Sequence, residues 1–462
     1  DVYKRQGFFF RFNYNYKQRY LLEVNGRYDG SSKFAKDHRY AFFPSVSAAW
    51  RISEENFWQP LKGWWNDMKI RGSYGSLGNQ VMDDLGNFPY LATYGTNSSY
   101  NYLINGSKPV IVKAPGLVAP DFTWETVTQM DFGFDASFLN NRLTGTFDWY
   151  RRNTKDMLVA GATLPATLGA SVPKSNSADM KTIGWELSLG WNDRLENGFS
   201  YWVKGVLSDY QATITKYAGN DAGFYSQSDG DGKYYVGQKI GEIWGYHSNG
   251  LFQSDDEAAT IDQSELYAGK WGAGDVKYED LGNDGKITKG EETIYNPGDK
   301  SIIGNKTPRY QFGITVGFDY KNFDFEMFWQ GTGKRDYMLS GAQFWGFTSQ
   351  WDVPYTPALD YWTETNTDAY FPRPGWQNGG NRVTSDRYLQ SAAYGRLKNL
   401  TVGYTIPKNL TTKWGISRLR LYVTGENLLT ITPLNDAFDP ETLGGMTYPI
   451  NRKVAIGLNL TL

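Results

Sequence analysis

The 462-residue chain contains no cysteine and only two histidines, His38 and His247. Without cysteine it can form neither a disulfide framework nor a thiolate metal site. Histidine is the most frequent general base, and the sequence also contains no nucleophile elbow, no phosphate-binding loop and no HExxH zinc motif. These absences predict that the chain is not an enzyme.

Excess charge and long apolar runs are also missing. The 47 Lys and Arg residues nearly balance the 49 Asp and Glu residues, so no basic surface indicates a nucleic-acid partner. No run of about 18 apolar residues, the length that a membrane helix needs, occurs in the sequence. A membrane β-barrel remains compatible with this composition, because every second residue of its strands faces water.

Aromatic residues and glycine are abundant, with 33 Tyr, 26 Phe, 17 Trp and 51 Gly. Many of the aromatic and aliphatic residues alternate with small or polar ones, which places them on one face of a strand. The clearest segments are 310–320 and 454–462. Their apolar sets are Tyr310, Phe312, Ile314, Val316, Phe318 and Tyr320, and Val454, Ile456, Leu458, Leu460 and Leu462.

Charged residues fall on the face opposite these apolar sets. Members of the charged set are Arg11, Glu23, Lys69, Arg71, Asp324, Glu326, Arg418, Arg420 and Glu426. A charge that faces lipid at mid-depth costs about 2–4 kcal/mol. One apolar and one charged face therefore fit a sheet between hydrocarbon and water. A soluble β-sandwich can show a similar alternation, so strand number and loop lengths must decide between them.

The alternation predicts about thirteen strands, near 7–16, 18–28, 38–52, 66–77, 126–139, 141–152, 179–192, 197–210, 308–320, 322–332, 388–406, 416–428 and 450–462. Short connections, at 16–18, 53–65, 140–141, 192–197, 321–322 and 407–415, take turns with longer ones, at 29–37, 78–125, 153–178, 212–307, 333–386 and 430–449. Short periplasmic turns opposite long external loops are typical of outer-membrane barrels. Leu397 and Leu400 have opposite parity, which predicts a bulge near Lys398–Asn399.

Several segments resemble the SusC/RagA family of TonB-linked outer-membrane proteins, and together they cover most of residues 7–462. They are RYDGSSKF at 27–34, FPSVSAAWRI at 43–52, MKIRGSYGSLGNQ at 68–80, TQMDFGFDASF at 128–138, DWYRRNTKDML at 148–158, residues 307–333, residues 361–374, GRLKNLTVGYTIP at 395–407, RLRLYVTGENLL at 418–429 and residues 448–462. Each segment is weak alone, whereas their joint order and spacing are specific.

The resemblance implies an all-β transmembrane antiparallel barrel of about 22 strands around a plug, located in the outer membrane of a Gram-negative cell. It also implies a SusD-like surface lipoprotein, a TonB complex that supplies energy, and import of oligosaccharides or peptides. We expect residues 7–462 to form part of such a barrel, with its plug and the remaining strands outside this sequence. Residues 1–6 do not join the pattern and are set aside as non-native or unassigned, and Leu462 stands where the family usually ends in an aromatic residue.

The segment DLGNDGKITKGE at 280–291 has the spacing of a calcium-binding EF-hand loop. Its candidate ligands are Asp280, Asp284, the Lys286 carbonyl and Glu291, whereas Gly282 occupies a position that normally supplies a ligand. Calcium is therefore a possible cofactor. The alternative is an acidic turn held by hydrogen bonds from the backbone to its Asp and Asn side chains.

The predicted loop 333–386 is rich in aromatic residues, and Trp345, Trp351 and Trp376 are the candidates for contact with substrate. Flat aromatic faces suit sugar rings, but the same rings could equally pack the loop against itself or against a partner protein. Five other tryptophans are expected on the lipid-facing side of the strands. They are Trp50, Trp149, Trp185, Trp191 and Trp329.

Two functions from other classes stay open at this point. A soluble extracellular β protein that binds glycans would be stable without detergent. A passive porin would need neither plug, TonB nor lipoprotein. Within the transporter class, the family segments argue against a siderophore or cobalamin receptor, and the choice between glycan and peptide as substrate stays open.

Overall fold

A thirteen-stranded antiparallel sheet dominates the computed structural model. The structure describes residues 4–80, 86–97, 103–104, 106–108, 110–119, 121–161, 165–170, 172–225, 233–267, 269–443 and 448–462. Each strand pairs with the next strand of the sheet in chain order, so the sheet is one continuous meander. Its two outer strands are not paired with each other, and the sheet is therefore open.

The strands of this sheet are β1 (Arg5–Tyr16), β2 (Tyr20–Ser31), β3 (Tyr40–Arg51), β4 (Trp65–Asn79), β5 (Glu125–Phe138), β6 (Leu143–Ala160), β7 (Lys174–Arg194), β8 (Ser200–Tyr217), β9 (Arg309–Tyr320), β10 (Phe323–Lys334), β11 (Tyr394–Thr405), β12 (Arg418–Ile431) and β13 (Lys453–Thr461). All thirteen predicted strands are confirmed, in the predicted order.

Two predicted boundaries need correction. Residues 1–6 were excluded from the fold, yet Arg5 and Gln6 pair with Ser31 and Gly30 at the start of β1. Backbone pairing does not depend on the side-chain alternation that begins later, which is why the pattern missed them. The predicted strand at 388–406 divides in two, because Leu389–Ser391 pairs with Asp336–Met338 instead of with the main sheet.

The shortest turns lie at one end of the sheet and the four longest connections lie at the other, although 32–39 at the second end is shorter than 52–64 and 406–417 at the first. The short-turn end carries 17–19, 52–64, 139–142, 195–199, 321–322 and 406–417, and the long-loop end carries 32–39, 80–124, 161–173, 218–308, 335–393 and 432–452. Positive φ angles at Lys17, Gln18 and Lys321 form the tightest turns. The connection between β6 and β7 is shorter than predicted, because both strands extend beyond their predicted ends.

Short elements fill the connections. Where the structure describes these connections, two-stranded sheets pair Gly95–Asn97 with Ile111–Lys113, Glu242–Tyr246 with Lys300–Asn305, Ser248–Leu251 with Val276–Tyr278, and Asp336–Met338 with Leu389–Ser391. The short helices of the described residues are Lys36–His38, Ile52–Glu54, Asn56–Leu61, Ala166–Leu168, Asp255–Ala258, Ala342–Trp345, Thr356–Leu359, Gly379–Arg382, Lys408–Thr411 and Thr412–Trp414. Within the described ranges, no helix is long and apolar enough to cross a membrane.

The strand register separates the side chains as predicted. Trp149 pairs with Trp185, and Trp50 pairs with Ile70. Most of the large exposed apolar residues of the strands share this face, whereas Phe9 and Leu77 have the parity of the polar face. An apolar surface of this extent on a soluble monomer would be exceptional, and it marks contact with a membrane or another protein. The predicted bulge is also confirmed, since the register shifts between Leu397 and Asn399.

Three long connections condense into one hydrophobic core, which we name the loop cluster. Its buried members come from 218–308, 335–393 and 432–452; they are Tyr246, Leu251, Leu266, Tyr267, Val276, Tyr278, Ile287, Leu339, Phe344, Phe371, Tyr388, Ala392, Leu434, Phe438 and Leu443. A smaller core joins the connections 32–39 and 80–124 to the sheet through Phe34, Phe43, Phe122 and Trp124.

Phe344 links two of the three connections, because its ring centroid lies 5.1 Å from Phe371 and 6.2 Å from Phe438. Truncating a buried Phe to Ala typically costs about 3–5 kcal/mol. We therefore expect Phe344→Ala to speed limited proteolysis within 335–393 and 432–452. The matched control is Trp351→Ala, because Trp351 is exposed and its removal should leave the cleavage rate unchanged. Equal rates in the two variants would contradict the shared core.

Candidate functional site

The polar face of the sheet is a concave wall lined by ion pairs. A hollow of about 660 Å³ there is bordered by polar residues of five neighbouring strands, among them Glu23, Asn25, Ser47, Gln129 and Arg152. On this face Arg152 Nε donates to Gln129 Oε1 at 3.2 Å. The wall can therefore offer hydrogen-bond donors and acceptors to a polar solute.

Most of the predicted inward charges have an oppositely charged partner on the same face. Arg71 lies against Asp148, with 2.7 Å between Nη2 and Oδ2, and Lys69 Nζ lies 2.6 Å from Asp135 Oδ2. Arg420 Nε donates to Asp324 at 2.8 Å. Glu426 forms a longer pair with Lys453 at 3.5 Å. Pairing lowers the cost of holding these charges away from bulk water and leaves a wall of mixed sign.

One external connection is anchored on this wall. Arg396, which is only 2% exposed, donates through Nη2 to Asp439 at 2.5 Å and through Nε to Thr430 at 2.9 Å. Lys398, beside the bulge, pairs with Glu441 at 2.8 Å. The connection 432–452 therefore turns inward onto the polar face, and its apolar residues join the loop cluster.

Polar contacts also tie the two longest connections together. Asp275 is fully buried and accepts hydrogen bonds from Arg373 and Asn381, at 2.6 and 2.9 Å. The bonds to Asp275 raise the pKa of the Arg373 guanidinium. Burial raises the pKa of the Tyr278 phenol, which therefore stays neutral and donates to the Gly380 carbonyl at 2.6 Å. A buried charge that is fully bonded favours one specific packing of the two connections.

His247 forms a further tie that sequence reasoning missed. Its Nδ1 lies 2.7 Å from Asp386 Oδ2, and its Nε2 lies 2.7 Å from Ser301 Oγ. Asp386 also accepts from the Ser248 backbone at 2.9 Å. His247 and Asp386 are 139 positions apart, so no local spacing could have indicated the contact. Ser301, His247 and Asp386 follow the hydrogen-bond sequence of a nucleophilic triad. In this structure their bonds connect 218–308 with 335–393.

The structure places the three predicted tryptophans in different surroundings. Trp345 is partly buried in the loop cluster, where its ring meets that of Tyr388 at 4.6 Å and that of Phe371 at 6.0 Å. Trp351 and Trp376 are 83% and 47% exposed. The structure thus gives Trp345 a packing role, while the surfaces of Trp351 and Trp376 are accessible. Substrate contact by any of the three stays a prediction.

A short hydrogen-bonded turn presents Trp351. The Asp352 carboxylate accepts from the backbone N–H groups of Thr348 and Ser349 at 2.7 and 2.6 Å, and from the Thr348 hydroxyl at 2.5 Å. These bonds to the charged form lower the pKa of Asp352. The exposed indole therefore stands on a turn that its neighbour holds in place.

The acidic loop 280–291 is held mainly by hydrogen bonds to its own backbone. Asp280 accepts from Gly285 N at 2.7 Å, and Asp284 accepts from Lys286 N at 3.0 Å. Asp299, outside the predicted motif, accepts from Leu281 N and Thr288 N at 2.8 and 2.7 Å. Glu291 is exposed. In the described part of the chain, no group of three or more His, Asp or Glu side chains could hold a metal ion.

Comparison with known proteins agrees with this architecture. The family model for the β-barrel of TonB-dependent receptor-like proteins matches residues 1–428. TonB-dependent receptor P26 of Formosa agariphila is 30% identical over 474 residues, which cover 98% of this chain and 46% of that protein. TonB-dependent receptor SusC of Bacteroides thetaiotaomicron is 28% identical over 460 residues, covering 98% and 43%. The chain thus spans about half the length of these curated relatives.

The fold also matches a solved structure, the RagAB peptide transporter, with a TM-score of 0.78 and 24% identity over 99% of this chain and 48% of that one. At this identity the likeness shows the fold alone. The predicted resemblance to SusC/RagA proteins and the all-β barrel fold are confirmed. Because the family model covers nearly the whole sequence, the chain belongs to the TonB-dependent receptor family and contributes its thirteen strands to that family's β-barrel.

Proposed function

We propose that this chain forms part of a TonB-dependent importer in the outer membrane that takes up oligosaccharides or peptides. The observation that carries the proposal is the division of one continuous sheet into an apolar face and an ion-paired polar face, with the loop cluster at the long-loop end. Such a sheet separates lipid from an aqueous path. The name of the RagAB peptide transporter favours peptides, and that of SusC leaves glycans open.

Two features favour this function over its rivals. The exposed apolar face argues against a soluble glycan-binding protein. In such a protein the apolar side chains on this face of about a dozen strands would be in contact with water. The contact of Arg396 with Asp439 brings an external connection onto the inner wall, which favours a gated path over an open porin. Catalysis has no part in the proposal, and the bonds of Ser301 and His247 serve to join loops.

The partners follow from the same orientation. We infer that a SusD-like lipoprotein docks on the external surface and that the TonB complex supplies energy for import. Trp351 and Trp376 are the best-placed side chains for a sugar ring, an apolar peptide side chain or the lipoprotein. Trp345 acts indirectly, because it packs beneath this surface against Tyr388.

Calcium binding at the acidic loop is a second, independent proposal. Asp280 Oδ1 is buried and has no hydrogen-bond partner. A Cβ atom added at Gly282 would lie 3.6 Å from that oxygen and 3.8 Å from Asp299 Oδ1. Asp299 thus lies where it can replace the ligand that Gly282 lacks. The loop must move to complete the coordination shell of a hard cation, which needs six or more oxygens.

Import is tested by uptake of fluorescent oligosaccharides and peptides in cells that carry the full-length protein. We expect uptake of one of the two classes, and its complete loss when TonB or the proton gradient is removed. Uptake that persists without TonB would identify a passive pore. Purification of the protein from the soluble fraction, stable without detergent, would instead support a glycan-binding protein.

The double variant Trp351→Ala/Trp376→Ala should lower uptake at limiting substrate by about tenfold, because each lost aromatic contact is worth about 0.5–1.5 kcal/mol. Asp352→Ala should lower it less, by loosening the turn beneath Trp351. Phe57→Ala, an exposed aromatic residue of the short-turn end, is the matched control and should have no effect. Unchanged uptake in the double variant would remove these residues from the binding surface.

Isothermal titration with calcium tests the acidic loop. We expect one saturable site in the wild type and its loss in Asp284→Ala, whereas Asp256→Ala, an exposed acidic residue of the same connection, should bind normally. Calcium should also slow proteolysis of the loop in the wild type only. Absence of binding in the wild type would end the proposal, and binding retained by Asp284→Ala would place the ion elsewhere.

A further inference from the structure

Three cations gather on the apolar face of the sheet, at the long-loop end of β6 and β7. Arg151 and Lys155 alternate with Asn153 along β6, so their side chains share the face of Trp149. Lys181 of β7 pairs directly with Asn153. It is therefore the diagonal neighbour of Arg151, and Lys155 lies next to it at the bulge that follows Thr154. We name these three residues the outer basic triad.

The level of the triad along the sheet is set by its neighbours. Trp149 precedes Arg151 by one position on this face, pairs with Trp185, and lies 6.5 Å from the ring of Phe132. Such aromatic residues mark the boundary between the hydrocarbon core and the headgroups. The triad begins immediately beyond them, towards the long loops, which places its charges at headgroup level in the outer leaflet.

The triad also differs in its pairing from several cations of the polar face. Lys69, Arg71 and Arg420 on the polar face each have an acidic partner. Across the described residues, no carboxylate lies within ion-pair distance of any member of the triad. The contact that the structure gives it is a hydrogen bond from Arg151 Nε to Asn153 Oδ1, at 3.2 Å. Three like charges on adjacent positions repel each other unless an anion lies among them.

One carboxylate on the same face is already neutralised by another residue. Asp209 of β8 pairs with Trp185, yet it is almost fully buried and bound by both ends of the Arg309 guanidinium. That acid is thus neutralised within the protein and cannot serve the triad. Asp179, two positions before Lys181 on this face of β7, accepts from the Asp156 backbone N–H at 2.9 Å and forms no ion pair with the triad. The three cations can therefore take an anion from outside the protein.

We propose that the outer basic triad binds the phosphate of an outer-leaflet lipid headgroup, with the acyl chains lying along Trp149, Trp185 and Ile183. A guanidinium and two ammonium groups supply several N–H donors to one phosphate, and the Asn153 amide can add a further donor. The apolar surface below the triad distinguishes a lipid from free phosphate. This inference depends on the membrane orientation of the sheet and not on the imported substrate.

Native mass spectrometry of the full-length protein in a non-ionic detergent can measure the affinity for short-chain phosphatidic acid. Each cation near a lipid surface contributes about 1 kcal/mol, which is about fivefold in affinity. We therefore expect Arg151→Gln/Lys155→Gln/Lys181→Gln to weaken binding at least tenfold. Lys181→Gln alone should weaken it about fivefold and serves if the triple variant does not fold.

The matched control removes three exposed lysines from the short-turn end, as Lys17→Gln/Lys321→Gln/Lys413→Gln, and should change the affinity less than twofold. Equal loss in this control would mean unspecific charge attraction and overturn the site. Inorganic phosphate that binds as tightly as the lipid would overturn the choice of ligand. Nutrient uptake should be normal in the triad variant, so failure of the lipid site and failure of the proposed import are separable.

Discussion

A backbone that crosses hydrocarbon has no water to bond with, so its N–H and C=O groups must bond to one another. In this chain a meander sheet meets that requirement, with each strand beside its successor. The same constraint sorts the side chains, because alternate positions of every strand face lipid or water. On the polar face, which meets water, acidic and basic side chains form ion pairs, as Arg71 and Asp148 do. The external connections can leave the sheet only at its rim, where they pack together.

Most of the sheet could be predicted because its information is local. A period of two along ten or twelve residues identifies a strand, and a break in that period identified the bulge beside Lys398. The ends of strands were less accurate, since β6 and β7 extend beyond the region where their alternation is clear. Pairing of Arg5 with Ser31 depends on backbone bonds, which leave no trace in the side-chain pattern.

The loop cluster could not be predicted because its contacts are not local. Tyr246, Phe344 and Phe438 come from three connections, and their sequence shows only that aromatic residues are frequent there. The same limit explains Asp299, which supports the acidic loop from outside the motif that marked it. Among the candidate tryptophans, sequence alone could not tell a packed ring from an exposed one. Only the fold separates Trp345 from Trp351 in this respect.

This chain contains no cysteine, so single cysteines can be introduced into its strands without background once any cysteine elsewhere in the full-length protein is replaced. Cysteines at Ile314, Thr315 and Val316 of β9 in the full-length protein would be exposed to a water-soluble maleimide and, separately, to a lipid-soluble quencher. The account predicts that Thr315→Cys reacts with the maleimide, while Ile314→Cys and Val316→Cys respond only to the quencher. Uniform reaction of all three with the maleimide would show that both faces meet water and would contradict a membrane-spanning sheet.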